Sequence, residues 1–147
     1  MNRLENYKQV HDSVMRGFVR EGFVISDTVR FGEPEGGFIT VLGQVRCQDD
    51  VQIDVDKKLK IVSGTGATAL VKTVEYTYNV STSVGNLFRY DSPHDHRQHH
   101  HVHRFDSEGR ETAVHELRSV NDVPTLGDVI KEARDDYPPP PSNGEES

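Results

Sequence analysis

The sequence predicts an α+β protein, a single domain with a mostly antiparallel sheet of about six or seven strands and an N-terminal and a C-terminal helix packed on it. Three observations carry this. Apolar residues recur at spacings of three and four near both ends, apolar and polar residues alternate through the middle, and short turns separate the alternating segments. Short turns favour antiparallel pairing, because parallel strands need long crossovers.

Leu4, Tyr7, Val10, Val14 and Phe18 form the stripe of a first helix, with Lys8, Asp12 and Arg16 outside it and Gly22 as its stop. Val24 to Phe31 reads as a strand. A Glu33-Pro34-Glu35-Gly36-Gly37 turn leads into Phe38 to Cys47, where Ile39, Val41, Val45 and Cys47 share a face. After a Gln48-Asp49-Asp50 turn, Val51, Ile53 and Val55 alternate with Gln52, Asp54 and Asp56, the pattern of a half-buried strand.

Ser63 to Ala67 is a loop whose two glycines lack the lysine and following helix of a phosphate-binding motif. Val74, Tyr76, Tyr78 and Val80 then line one face of a strand, and the tyrosine hydroxyls need partners if buried. Gly85-Asn86 turns into Leu87 to Asp91, and Pro93 halts that strand. His99 to Phe105 and Thr112 to Leu117 are further extended runs. Thr125 and Asp128 are placed to cap a last helix with the stripe Leu126, Val129, Ile130 and Ala133. The domain is expected over residues 1–137. Residues 138–147, a proline run followed by small and acidic residues, read as a disordered tail.

The net charge of −7 argues against a general basic surface for nucleic acid, so any such contact must be local. No apolar run approaches the ~18 residues of a membrane span, and the N-terminus lacks the hydrophobic stretch of a secretory signal, so a cytoplasmic location is expected. Cys47 is the only cysteine, which excludes an internal disulfide and a thiolate-rich zinc site and leaves a buried thiol as its expected role.

Six of the eight histidines fall between Arg89 and Asp106, in the run RYDSPHDHRQHHHVHRFD. Histidine exchanges protons near neutral pH and is the commonest metal ligand, so the run marks a reaction centre, a metal site or a polar strand. In an extended strand His99, His101, His103 and Phe105 line one side, and His100, Val102 and Arg104 the other. Arg89 and Asp91 share a face of the preceding strand, with Tyr90 opposed. If the two strands pair across the intervening loop, Arg89, Asp91, His94 and two strand histidines converge.

Such a set can cleave RNA without a cofactor. A neutral imidazole takes the 2′-hydroxyl proton, a protonated one serves the leaving 5′-oxygen, Arg89 stabilises the phosphorane, and Asp91 orients one ring. A metal centre is the alternative. His94-x-His96 and His101-x-His103 are strand-compatible ligand pairs, and His101, His103 and Glu108 resemble cupin ligand spacing without the cupin glycines.

The succession VKTVEYTYNVSTSVGNLFRYDSPH, HHHVHRFD and PTLGDVIKEARDDY resembles the TumE-like toxins of prokaryotic type II toxin–antitoxin systems. The resemblance covers Val45 to Tyr137 and leaves the N-terminal helix, residues 1–22, outside the match. Its most distinctive parts are Arg89-Tyr90-Asp91, Pro93-His94, His100-His101-Val102-His103 and Pro124-Thr125-Leu126-Gly127-Asp128. It implies a toxin, with RNA as the expected substrate and a helix-turn-helix DNA-binding antitoxin as partner. The family pattern falls on Tyr78, Arg89, Tyr90, Asp91, His94, His101 and His103. Arg89, Asp91, His94, His101 and His103 are the expected catalytic residues, and Tyr78, Tyr90 and Arg104 the expected substrate contacts. The N-terminal helix is a candidate added packing element, or an antitoxin or self-association surface.

Overall fold

The computed structural model describes residues 1–93, 99–119 and 122–137. The fold is α+β, with a mostly antiparallel sheet and a helix near each end. Strand β1 (Asn2–Arg3) leads into helix α1 (Leu4–Glu21), which Gly22 ends in the left-handed conformation, φ 91°, its N–H donating to the Val19 carbonyl at 3.0 Å. There follow β2 (Val24–Asp27), β3 (Arg30–Phe31), β4 (Phe38–Cys47), β5 (Gln52–Ser63), β6 (Leu70–Thr82), β7 (Gly85–Asp91), β8 (His101–Phe105), β9 (Glu111–Glu116) and α2 (Leu126–Asp136). The sheet order is β2-β4-β5-β6-β7-β8-β9, with β1 added to β6 and β3 to β4.

The expected strand from Val24 to Phe31 is broken in two. Asp27 Oδ1 accepts the Val29 N–H and Thr28 exchanges hydrogen bonds with Gln44, so the chain kinks over β4. Gly43 lets it approach. At φ 153° a Cβ there would lie 2.5 Å from the Val29 Cα. Strand β5 runs on through Lys57 to Ser63, past the alternation that announces it. The turn before β7 is Ser83-Val84, pinned by Asp50 accepting the Ser83 N–H, and Gly85 already belongs to the strand.

One face of the sheet carries the core: Ile39, Val41 and Val45 of β4, Ile53, Val55 and Leu59 of β5, Tyr76, Tyr78 and Val80 of β6, Phe88 and Tyr90 of β7, and Val102 of β8. Burying a large apolar side chain is worth roughly 1.5–3 kcal/mol, so this layer holds the fold. Cys47 belongs to it, and burial pushes its thiol up to about 12. The expected α2 stripe of Leu126, Val129, Ile130 and Ala133 is buried, and the Thr125–Asp128 capping box forms. The α1 stripe is buried only in part. Leu4 is in the core and Tyr7 and Phe18 pack against it, but Val10 is 62% exposed and Met15 takes the second buried place.

The other face is polar where strands β5 to β8 meet. Register places Asp56, Thr77, Asp91 and His101 in one row and Asp54, Asn79, Arg89 and His103 in the next. Residues opposite one another share a face.

Candidate functional site

The histidine run acquires its geometry from one hairpin. Antiparallel pairing sets Asp91 opposite His101 and Arg89 opposite His103. The end of β7 is fixed by Ser92, whose N–H donates to the Tyr76 carbonyl while its Oγ accepts the Tyr76 N–H, both at 3.0 Å. On the far side of β8, Leu117 N–H donates to the His100 carbonyl at 2.8 Å. The two strands therefore hold their side chains in one register.

Asp91 is the hub. Its Oδ2 lies 3.0 Å from Arg89 Nε, 3.1 Å from His103 Nε2 and 3.4 Å from His101 Nε2. The two imidazoles meet edge to face, ring centroids 4.9 Å apart. Exposure is 5% for Asp91, 1% for His101 and 5% for His103. A buried carboxylate needs such partners, since an unpaired charge away from water is costly.

The remaining ring nitrogens are also engaged. His101 Nδ1 lies 3.0 Å from the His99 carbonyl, and His103 Nδ1 lies 2.5 Å from Glu111 Oε1. A carbonyl only accepts, so the His101 Nδ1 carries a proton, and the Glu111 carboxylate assigns the same tautomer to His103. Both Nε2 atoms then face Asp91 Oδ2. They either donate to it as imidazolium N–H groups or present lone pairs beside it.

The second state is a donor set for a divalent cation. Asp91, His101 and His103 each offer one ligand atom, all within 4.8 Å of one another. With bonds of about 2.0–2.2 Å and near-tetrahedral to right angles, donors around one ion sit roughly 3.0–3.6 Å apart. The two carboxylate–imidazole separations match that span. Ligating histidines commonly donate their other N–H to a carboxylate or backbone carbonyl, the arrangement that Glu111 and the His99 carbonyl provide here.

The expected substrate contacts are not in this cluster. Tyr78 is buried on the helix-facing side, its ring stacked on Tyr76 at 5.3 Å, and burial raises its hydroxyl pKa well above the ordinary value. Tyr90 donates to Glu132 Oε1 of α2 at 2.6 Å, and Arg104 pairs with Glu132 and reaches the Tyr137 hydroxyl at 3.2 Å. These residues tie α2 to the sheet. The physical reason is alternation: Tyr90 and Arg104 are neighbours in sequence of Asp91 and His103, so they point the opposite way. Tyr76, whose hydroxyl burial pushes up to about 12, meets His100 Nδ1 at 2.9 Å on that same side.

Glu108, expected among the metal ligands, is exposed and pairs with Arg110, because Asp106 Oδ1 accepts the Glu108 and Arg110 N–H groups in a tight turn. Glu111 reaches His103 instead. A register shift at Arg104 and Phe105 brings it there, and no spacing rule within the sequence announces such a shift. His94, His96 and Arg97 lie outside the described residues.

Two half-buried histidines bear on pH. Burial, with His101 as a second cause, lowers the pKa of His100, and burial lowers that of His11. A lowered folded pKa means that protonation opposes folding. Their contribution is full above their unfolded value of about 6.5 and is lost as pH falls through the lowered values. The melting temperature should fall between about pH 7 and pH 5, and a His11→Gln and His100→Gln double variant should flatten the slope. An equally steep decline in the double variant would assign the effect elsewhere.

Comparison with protein-family models, curated proteins and solved structures finds no match to this chain. Fold and cluster together define an α+β sheet protein with a buried Asp–His–His centre on one hairpin and a half-buried Arg89 at its edge. No helix among the described residues is long and apolar enough to cross a membrane.

Proposed function

We propose that this chain is the toxin of a toxin–antitoxin pair and that it cleaves RNA at the Arg89, Asp91, His101 and His103 cluster. One observation supports the reading most: the residues that carry the resemblance to TumE-like toxins from β7 and β8 come together on one face, around a shared carboxylate oxygen. Arg89 is 34% exposed and sits opposite His103, so a phosphate approaching from solvent meets its guanidinium first. His103, linked to the exposed rim through Glu111, is the proton-transfer residue in this reading. His101, almost fully buried and held by the His99 carbonyl, positions Asp91. A helix-turn-helix antitoxin would neutralise the protein by covering Arg89 with carboxylates, leaving its own DNA-binding surface open. In this reading the protein acts in the cytoplasm, with its RNA target.

Expression of the wild type should arrest growth, and co-expression of its helix-turn-helix antitoxin should restore it. His103→Ala should lower RNA cleavage by about 10²–10⁴-fold, the usual contribution of a general acid or base. His101→Ala should also relieve arrest. Undiminished toxicity of both variants, at wild-type expression level, would reject the assignment.

A second reading is favoured by the engaged Nδ1 atoms: the cluster is a divalent-metal centre with ligands Asp91, His101 and His103. A transition-metal ion would suit the imidazole and carboxylate donors. Metal analysis of purified, tag-free protein decides between the two. Stoichiometric zinc, nickel or iron that is lost in His101→Ala and Asp91→Asn would select the metal centre. Metal-free protein with EDTA-resistant cleavage would select acid–base chemistry.

A further inference from the structure

A cavity of about 520 Å³ opens on the opposite side of the sheet, between α1, the start of α2, and strands β5 and β6. Its volume falls in the range of small-molecule sites. Val10, Val14, Val74 and Leu126 line it with apolar surface, and the stacked rings of Tyr76 and Tyr78 add an aromatic wall. Val10 and Val74 are exposed at its edge.

Lys57 also lines this cavity, and it is only 7% exposed. Its Nζ donates to the Tyr7 hydroxyl at 3.2 Å and lies 5.3 Å and 5.4 Å from the ring centroids of Tyr7 and Tyr78. The Tyr7 hydroxyl is shared with Thr73 Oγ1 at 3.0 Å. Among the described residues no carboxylate forms an ion pair with Lys57. Ring faces and a neutral hydroxyl attract an ammonium without balancing its charge, and a buried charge calls for a counter-ion.

The start of α2 meets the same space. Thr125, Leu126 and Gly127, at the N-terminus of the 11-residue helix α2, line the cavity. The first-turn N–H groups of a helix favour an anion, although Thr125 and Asp128 already cap each other here. Gly127 permits close packing, since a Cβ there would come within 3.3 Å of Val14.

We propose that this cavity binds a small organic anion, one with a planar apolar body between the valines and tyrosines and a single carboxylate or phosphate group on Lys57. The site lies on the other face from Asp91, so it stands or falls independently of the RNA-cleavage reading.

The probes are 1-naphthoate, 1-naphthyl phosphate and the neutral 1-naphthalenemethanol, titrated calorimetrically into the full chain. At least one anion should bind the wild type tenfold or more tightly than the alcohol, and the tighter anion identifies the head group as carboxylate or phosphate. Lys57→Met should erase the preference for the anion. Val10→Trp changes an exposed residue and should fill the cavity, so it should abolish binding of every probe. Absence of anion binding to the wild type, equal binding of the alcohol, a preference that survives in a folded Lys57→Met, or unchanged binding in Val10→Trp would each overturn the proposal.

Discussion

Asp91→Ala should destabilise the protein by about 3–5 kcal/mol, the usual cost of removing one partner from a buried charge network. Two nearly inaccessible imidazoles and a guanidinium converge on one carboxylate oxygen, and alanine leaves all three facing a cavity. Arg89 can turn partly to water, so its share of the loss is small. The histidines have no such exit. Asp91→Asn keeps the shape and one acceptor, so it should cost less, about 1–3 kcal/mol. The pair of variants separates structure from chemistry: urea denaturation measures the two losses, while cleavage or metal content should fail in both. A loss below about 1 kcal/mol in Asp91→Ala would mean that water already reaches the cluster.

Phe88→Ala should cost about 3–5 kcal/mol by a different mechanism, loss of buried surface and creation of a void. Phe88 is fully buried on the helix-facing side of β7. Its ring stacks on Tyr137 at 5.1 Å, meets Tyr90 edge to face at 5.8 Å, and lies beneath the Arg104 guanidinium at 5.4 Å. Tyr90 and Arg104 also join Glu132, so the truncation loosens α2 where charge and packing coincide. Glu132→Gln keeps the volume and weakens only the charged hydrogen bonds, so it should cost less, about 1–2 kcal/mol. Equal losses in the two variants, measured by urea denaturation, would show that α2 is held by charge and not by packing.

Local pattern in the sequence announced most of the strand and helix segments, the Gly22 stop and the Thr125–Asp128 cap, and the face each residue takes in a regular strand, but not the break between β2 and β3 or the shift that turns Glu111 toward His103. The alternation of Ile39, Val41, Val45 and Cys47 needs no long-range information, because side chains in a strand point to opposite faces in turn. The Thr125–Asp128 capping box is equally local. Arg89 with Asp91, and His101 with His103, were legible as two same-face pairs for that reason. Tertiary structure alone decided how the pairs met. The register of β7 on β8 set Asp91 against His101, and the shift near Phe105 delivered Glu111 to His103 while the turn held Glu108 outside. It also decided that Tyr78 lies behind the cluster and that Lys57, in a run of lysines that looks like a solvated face, points inward beneath Tyr7. Register is fixed by the burial of a whole sheet face against two helices, and that sum over distant residues is not contained in any single segment.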